Sequence, residues 1–80
     1  MYVKDVVAFR LAQLCRERCI TLNTLATLSG VTPSTVYSIM DEKRRDISLI
    51  TIKKLCDGLE ITLGEFFSSR EFDELEQEIR

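Results

Sequence analysis

The sequence predicts an all-α fold, a compact bundle of five helices followed by a short C-terminal amphipathic helix. The chain has 80 residues, room for one small domain with a single core. No stretch alternates apolar and polar residues with period two for long, so no strand is expected. One short pattern also recurs: an apolar residue, then Ser or Thr, then a second apolar residue four positions after the hydroxyl. It occurs as Ile20-Thr21 with Leu25, Val31-Thr32 with Val36, Ile47-Ser48 with Ile52, Ile61-Thr62 with Phe66, and Phe67-Ser68 with Phe72. Each has the form of a helix N-terminus. The hydroxyl accepts from an orphan amide of the first turn, and the two apolar residues staple the entering chain.

The first helix is expected near residues 4–18, without such a cap. At 100° per residue Val3, Val7, Leu11 and Leu14 share one face, and Tyr2, Val6 and Phe9 share another. One stripe belongs to the core; the other needs a cover. The second helix, 22–29, opens at Thr21, turns Leu25 and Leu28 inward and ends at Gly30, which tolerates positive φ. The third, 33–41, opens at Thr32 with Pro33 at its first position, where a missing amide hydrogen costs nothing. Val36, Ile39 and Met40 point inward. The loop 42–47 is the longest connection, and a fourth helix, 49–59, opens at Ser48. The fifth, 63–67, opens at Thr62, with Glu65 completing a capping box. The last, 69–79, opens at Ser68 with Glu71 in the same role. It carries Phe72, Leu75 and Ile79 on one side and acids around the rest. The expected division is a unit over 1–67 and an acidic amphipathic helix over 68–80.

Charge is uneven. Residues 1–60 carry nine Lys/Arg against seven Asp/Glu, and residues 61–80 two against six. The tail therefore makes the chain acidic, while Lys43-Arg44-Arg45 is its densest basic cluster. Nucleic-acid affinity depends on charge at the contact face, not on the total.

Several function classes are set aside by composition. There is no histidine, the commonest general base and zinc ligand. Gly30, Gly58 and Gly64 form no phosphate-binding pattern, so no enzyme is expected. Three cysteines cannot complete a disulfide framework. Cys15, Cys19 and Cys56 are a conceivable three-thiolate zinc set, but they read more simply as small, partly buried helix residues. No metal or cofactor is expected. The longest apolar run, Val6-Val7-Ala8-Phe9, is far short of the ~20 residues of a membrane span. Met1-Tyr2-Val3-Lys4-Asp5 meets polar residues too early for a secretory signal. A cytoplasmic chain with reduced thiols is expected.

Residues 21–41 carry the functional signal. Two short helices meet through a three-residue bend. Ala26 is the small residue a steep helix crossing needs, Gly30 makes the turn, and Val36 fills the angle between the helices. This is a helix-turn-helix. Leu25-Ala26-x-x-x-Gly30-Val31-x-x-Ser34-Thr35-Val36-x-x-Ile39 resembles that of the Cro and phage-repressor (xenobiotic-response-element) family. The resemblance continues through Ser48-Leu49-x-Thr51-Ile52-x-x-Leu55-Cys56-x-x-Leu59 and Ile61-Thr62-Leu63-x-Glu65-Phe66-Phe67. It reaches back to Arg10-Leu11-x-x-Leu14 and covers about residues 7–67. It implies a five-helix repressor-like domain that binds double-stranded DNA in transcription control.

Under that resemblance, helix 33–41 is the recognition helix, with Ser34, Tyr37, Ser38 and Asp41 on its free face. Ser34 and Ser38 are expected at base edges, Thr35 at a thymine methyl, and Tyr37 at a phosphate. Thr32 and Ser34 lie where a helix N-terminus attracts phosphate. Lys43, Arg44 and Arg45 are expected to clamp phosphates on one side, and Thr21 and Asn23 on the other. The sequence departs from the family at several positions. Leu22 stands where glutamine is common, and Met40 where a glutamate pairs with the arginine matching Arg10. That leaves Arg10 for another partner or for phosphate. Asp41-Glu42 replaces Asn-Gly or Arg-Gly, and Cys19 and Glu60 replace helix-ending glycines. With no Gln, Arg or Asn on the recognition face, bidentate base contacts are missing, and a homodimer is expected to supply specificity. Its contact is expected at Phe72, Leu75 and Ile79 or around Phe66 and Phe67, unless the tail folds back over Tyr2, Val6 and Phe9 of its own chain. The competing readings are a protein-interaction module, with a partner met through the C-terminal helix, and an antitoxin-type protein binding DNA and a toxin together.

Overall fold

The computed structural model describes residues 2–43 and 46–79. Among them it forms six helices: α1 (Val3–Glu17), α2 (Leu22–Ser29), α3 (Pro33–Met40), α4 (Leu49–Leu59), α5 (Leu63–Phe67) and α6 (Arg70–Asp73). No strand is formed among the described residues.

Four of the expected caps are made. Thr21 Oγ1 accepts from the Thr24 amide at 3.1 Å, and Thr32 Oγ1 from Thr35 at 3.3 Å. Ser48 Oγ accepts from Ile50 at 3.1 Å and from Thr51 at 3.4 Å. Thr62 Oγ1 accepts from Glu65 at 3.0 Å while Glu65 Oε1 accepts from the Thr62 amide at 2.9 Å, closing the capping box. Each cap contributes about 1 kcal/mol to its helix.

The helix ends repeat one device. Cys19, Gly30 and Glu60 all take left-handed backbone, with φ of 55°, 69° and 59°. In each case the next amide reaches back to a carbonyl of the preceding helix: Ile20 to Cys15, Val31 to Ala26 and Ile61 to Cys56, at 3.0–3.1 Å. The apolar residue that closes one helix then staples the next. Two of the three turns do this without glycine, at a cost of roughly 1–2 kcal/mol each.

The core gathers Val7, Leu11 and Leu14 from α1, Leu25 and Ala26 from α2, Val36 and Ile39 from α3, Ile52, Leu55 and Leu59 from α4, and Phe66 from α5. Val6 of the second α1 stripe is buried as well, whereas Phe9 is 46% exposed. Leu28, expected inside, is 57% exposed. The inward direction of α2 bisects Leu25 and Ala26, which swings Leu28 about 110° away and brings Ser29 inward instead. There α2 crosses α4 at Gly58. A Cβ on Gly58 would stand 2.2 Å from Ser29 Oγ and 3.0 Å from the Ser29 amide nitrogen, so only glycine permits this approach.

The C-terminal segment departs from expectation. Ser68 ends α5 instead of capping a new helix, Ser69 precedes α6 with no side-chain cap bond, and α6 is a single turn. Residues 75–79, expected helical, are not. The rings of Phe66, Phe67 and Phe72 explain the change. Their centroids lie 4.9–5.9 Å apart, so Phe72 is drawn onto the core of its own chain. The segment then runs back to α1, where Glu78 Oε2 accepts from the Val3 amide at 3.2 Å. A short acidic helix has little intrinsic stability, and tertiary contacts decide its length.

Candidate nucleic-acid interface

The turn between α2 and α3 rests on Ala26 and Val36, both fully buried. With the crossing held by these two, the outer surface of α3 is set. Ser34 and Tyr37 are exposed and Ser38 is half-buried on that face, and Asp41 is exposed just beyond it. At the helix opening Thr32 Oγ1 lies 3.0 Å from both Ser34 Oγ and Thr35 Oγ1. The three hydroxyls form one cluster around the first-turn amides, where the helix dipole favours an anion.

Tyr37 Oη donates to Asn23 Oδ1 at 3.1 Å, tying the middle of α3 to the start of α2. Because the Asn23 oxygen is occupied, its Nδ2 hydrogens remain as outward donors. Thr21 is beside it, donating to Thr24 Oγ1 at 3.0 Å. Thr21, Asn23 and Tyr37 thus form one flank. On the other, Thr35 and Ser38 line an open cleft of ≈ 210 Å³ with Ile39, Asp46, Ile47, Ser48 and Thr51. Lys43 is exposed in the loop beyond α3, its amide donating to Asp41 Oδ1 at 2.9 Å. Arg44 and Arg45 lie outside the described residues. The exposed acids Asp41 and Glu42 stand directly before Lys43 in the chain.

Leu22 is half-buried against the core, away from any phosphate role. Arg10 has found a partner. Its guanidinium donates to the carbonyls of Phe66 and Glu65, each at 3.0 Å, and to Gln13 Oε1 at 2.9 Å. It therefore caps the end of α5, and its geometry answers the missing glutamate at Met40. Lys4 was not anticipated. It is 6% exposed, and its Nζ donates to the backbone carbonyl of Asp41. The signal was available, since Lys4 shares the apolar face of α1 with Val7 and Leu11 at helical spacing.

The chemistry on offer is hydroxyls, amides and cations. The Cys15 and Cys56 thiols are held above their ordinary range by burial, opposed by Arg18 at Cys15 and chiefly by Lys53 at Cys56. Cys19 is exposed on its turn, and no three metal-ligating side chains gather among the described residues. No helix among them is long and apolar enough to cross a membrane. Glu65 lies well away from this surface. Its carboxyl is lowered by the Thr62 amide, through a bond of the capping box, and then by the Thr62 hydroxyl.

Comparison with known proteins follows this geometry. The family model of the Cro/C1-type HTH DNA-binding domain matches residues 10–70. Among solved structures, the chain is similar to one described as "Crystal structure of the prophage Lp1 protein 11". The TM-score is 0.83 at 29% identity, covering 94% of this chain and 100% of that one. No curated protein matches.

Proposed function

This chain belongs to the Cro/C1-type helix-turn-helix DNA-binding domain family, and we propose that it is a sequence-specific transcriptional regulator that reads the major groove with α3. The observation that carries this reading is the outer face of α3, exposed at Ser34 and Tyr37 and half-buried at Ser38, braced on α2 by the Tyr37–Asn23 bond and followed by Lys43 two residues past Asp41. A braced helix can be pressed into a groove without losing its orientation. In this reading Ser34 and Ser38 meet base edges and Thr35 a thymine methyl. Thr32 and the α3 amides hold one phosphate; Asn23 holds another through its Nδ2 hydrogens, with Thr21 and Tyr37 beside it. Lys43, Arg44 and Arg45 clamp the backbone beyond the helix. We take residues 1–67 as the DNA-binding unit and 68–80 as an acidic segment appended to it.

The test is a titration of duplex DNA over a range of salt, with a selected site against random sequence. Neutralising Arg44 and Arg45 together should weaken binding to all sequences and flatten the log–log salt slope by about two units. An unchanged slope removes both arginines from the interface.

We further propose that a pair of such domains binds, since one short helix without bidentate readers discriminates weakly. Of the apolar residues expected at the contact, Phe66 is buried, and Phe67 and Phe72 are packed on the core of their own chain. Ile79 is 88% exposed, and Leu49 and Ile50 at the start of α4 are 62% and 69% exposed, so these are the most exposed of the large apolar residues that seek cover. Sedimentation of the full chain and of a chain ending at Ser69 decides between them. A dimer surviving truncation places the contact away from the tail, and a full-length monomer at about 10–50 μM removes the dimer. The same exposed residues favour a second reading, a module that binds another protein and not DNA, which an absence of duplex binding would bring forward.

A further inference from the structure

We infer that Lys4 is a positioning residue for DNA binding: its buried ammonium ties the end of α3 to α1 and so aims Lys43 just beyond it. This rests on the proposed reading of α3 as the DNA-reading helix. Helices α1, α2 and α4 end in left-handed turns that close on themselves. Helix α3 does not. The residue after it, Asp41, has extended backbone with φ −76° and ψ 117°; its amide donates to the Ser38 carbonyl, but the next amide makes no return bond like those of the other turns. The Asp41 carbonyl is instead met by Lys4 Nζ from 37 residues away. A cation at this end also suits the helix dipole.

Lys4 is the buried charged residue of the described chain, and an ammonium is removed from water only where something compensates. It walls two surface clefts, one with Met40 and Glu42 and the other with Asp46 and Ile47. Its two clefts therefore flank both sides of the connection from α3 to α4. The connection continues through the same residue, because the Asp41 carboxylate accepts from the Lys43 amide at 2.9 Å. Ammonium to carbonyl, and carboxylate to amide, together set the direction in which the chain leaves the helix. At 6% exposure Lys4 does not itself reach a phosphate.

The experiment compares wild type with Lys4→Met, which keeps an unbranched apolar stem, and with Lys4→Arg, which keeps the cation. The readouts are duplex affinity, its salt slope and, in the free protein, the exchange rate of the Lys43 amide by NMR. Lys4→Met should lose roughly tenfold in affinity and about one unit of slope as Lys43 disengages, and Lys4→Arg should restore most of both. In a chain already neutralised at Lys43, Lys4→Met should flatten the slope much less. A further loss of a full unit there would mean direct phosphate contact and overturn the positioning role, as would wild-type affinity and slope in Lys4→Met. If Lys4→Met does not fold, Asp41→Ala against Asp41→Asn decides. Both remove the acid, but only Asn keeps the acceptor for Lys43, so Ala should bind more weakly, and equal binding overturns the relay. Should the wild type itself fail to bind duplex, the functional reading falls. Faster Lys43 exchange in Lys4→Met would still support the anchoring of the loop, and unchanged exchange would overturn it.

Discussion

Tyr37 and Asn23 share a hydrogen bond of 3.1 Å between two helices, with the phenol donating to the amide oxygen. Both side chains are exposed, so the bond contributes little to folding. Its effect lies in orienting two groups that the proposed interface needs at once. Tyr37→Phe should therefore change stability by less than about 1 kcal/mol. On DNA, Tyr37→Phe and Asn23→Ala should each weaken binding, and the double variant should lose less than their sum. A double-mutant cycle from duplex titrations measures this coupling, and strict additivity would show the bond to be irrelevant at the interface.

The two helix crossings should fail differently. Ala26→Leu overpacks the turn between α2 and α3, and Val36→Asp buries an unpaired carboxylate, so both should unfold the domain before any DNA effect is seen. Gly58→Ala forces a methyl against Ser29 and should cost about 1–3 kcal/mol, or several degrees in Tm. Ser29 Oγ is buried without a hydrogen-bond partner, so Ser29→Ala alone should cost little and should partly rescue Gly58→Ala. Thermal melts of the single and double variants check this.

Arg10 should act on stability and not on DNA. Its guanidinium is committed to the carbonyls of Phe66 and Glu65 and to Gln13. Arg10→Met should cost about 1–3 kcal/mol by freeing the end of α5. Well below its melting temperature, the variant should bind duplex with the wild-type salt slope. A slope reduced by about one unit would return Arg10 to the list of phosphate contacts.

Acid should remove the α5 capping box. The Glu65 carboxyl is lowered in the folded chain by the Thr62 amide and hydroxyl. A group lowered on folding stabilises above its unfolded value, near about 4.3 for glutamate, and loses that contribution as pH falls through the folded value. Wild type should therefore be more stable than Glu65→Gln at neutral pH, and the gap should close as pH drops below about 4. A gap that widens on acidification would contradict the charge-assisted cap.

Much of this fold is legible one segment at a time, because its determinants are local. A hydroxyl three residues before an amide, a staple five residues wide and a proline at a first helical position operate within a single turn. The starts of α2, α3, α4 and α5 follow from them, as does the free face of α3. The bends at Cys19 and Glu60 are likewise expected without glycine, since the closing amide and its apolar staple fall at the same spacing as at Gly30. The C-terminal segment is not legible in this way. Ser68 and Glu71 have the spacing of a cap, but the aromatic contact of Phe72 with Phe66 and Phe67 outweighs a local preference worth about 1 kcal/mol. Leu28 faces outward because the crossing at Gly58 chose which residues of α2 point in. Lys4 and Arg10 meet their carbonyls 37 and 55–56 residues away, so neither partner could be named from spacing. Local patterning dictates where helices begin and which residue types they display. Packing between distant segments decides how far the last helix runs, which apolar residues remain outside, and which cations hold the ends of α3 and α5.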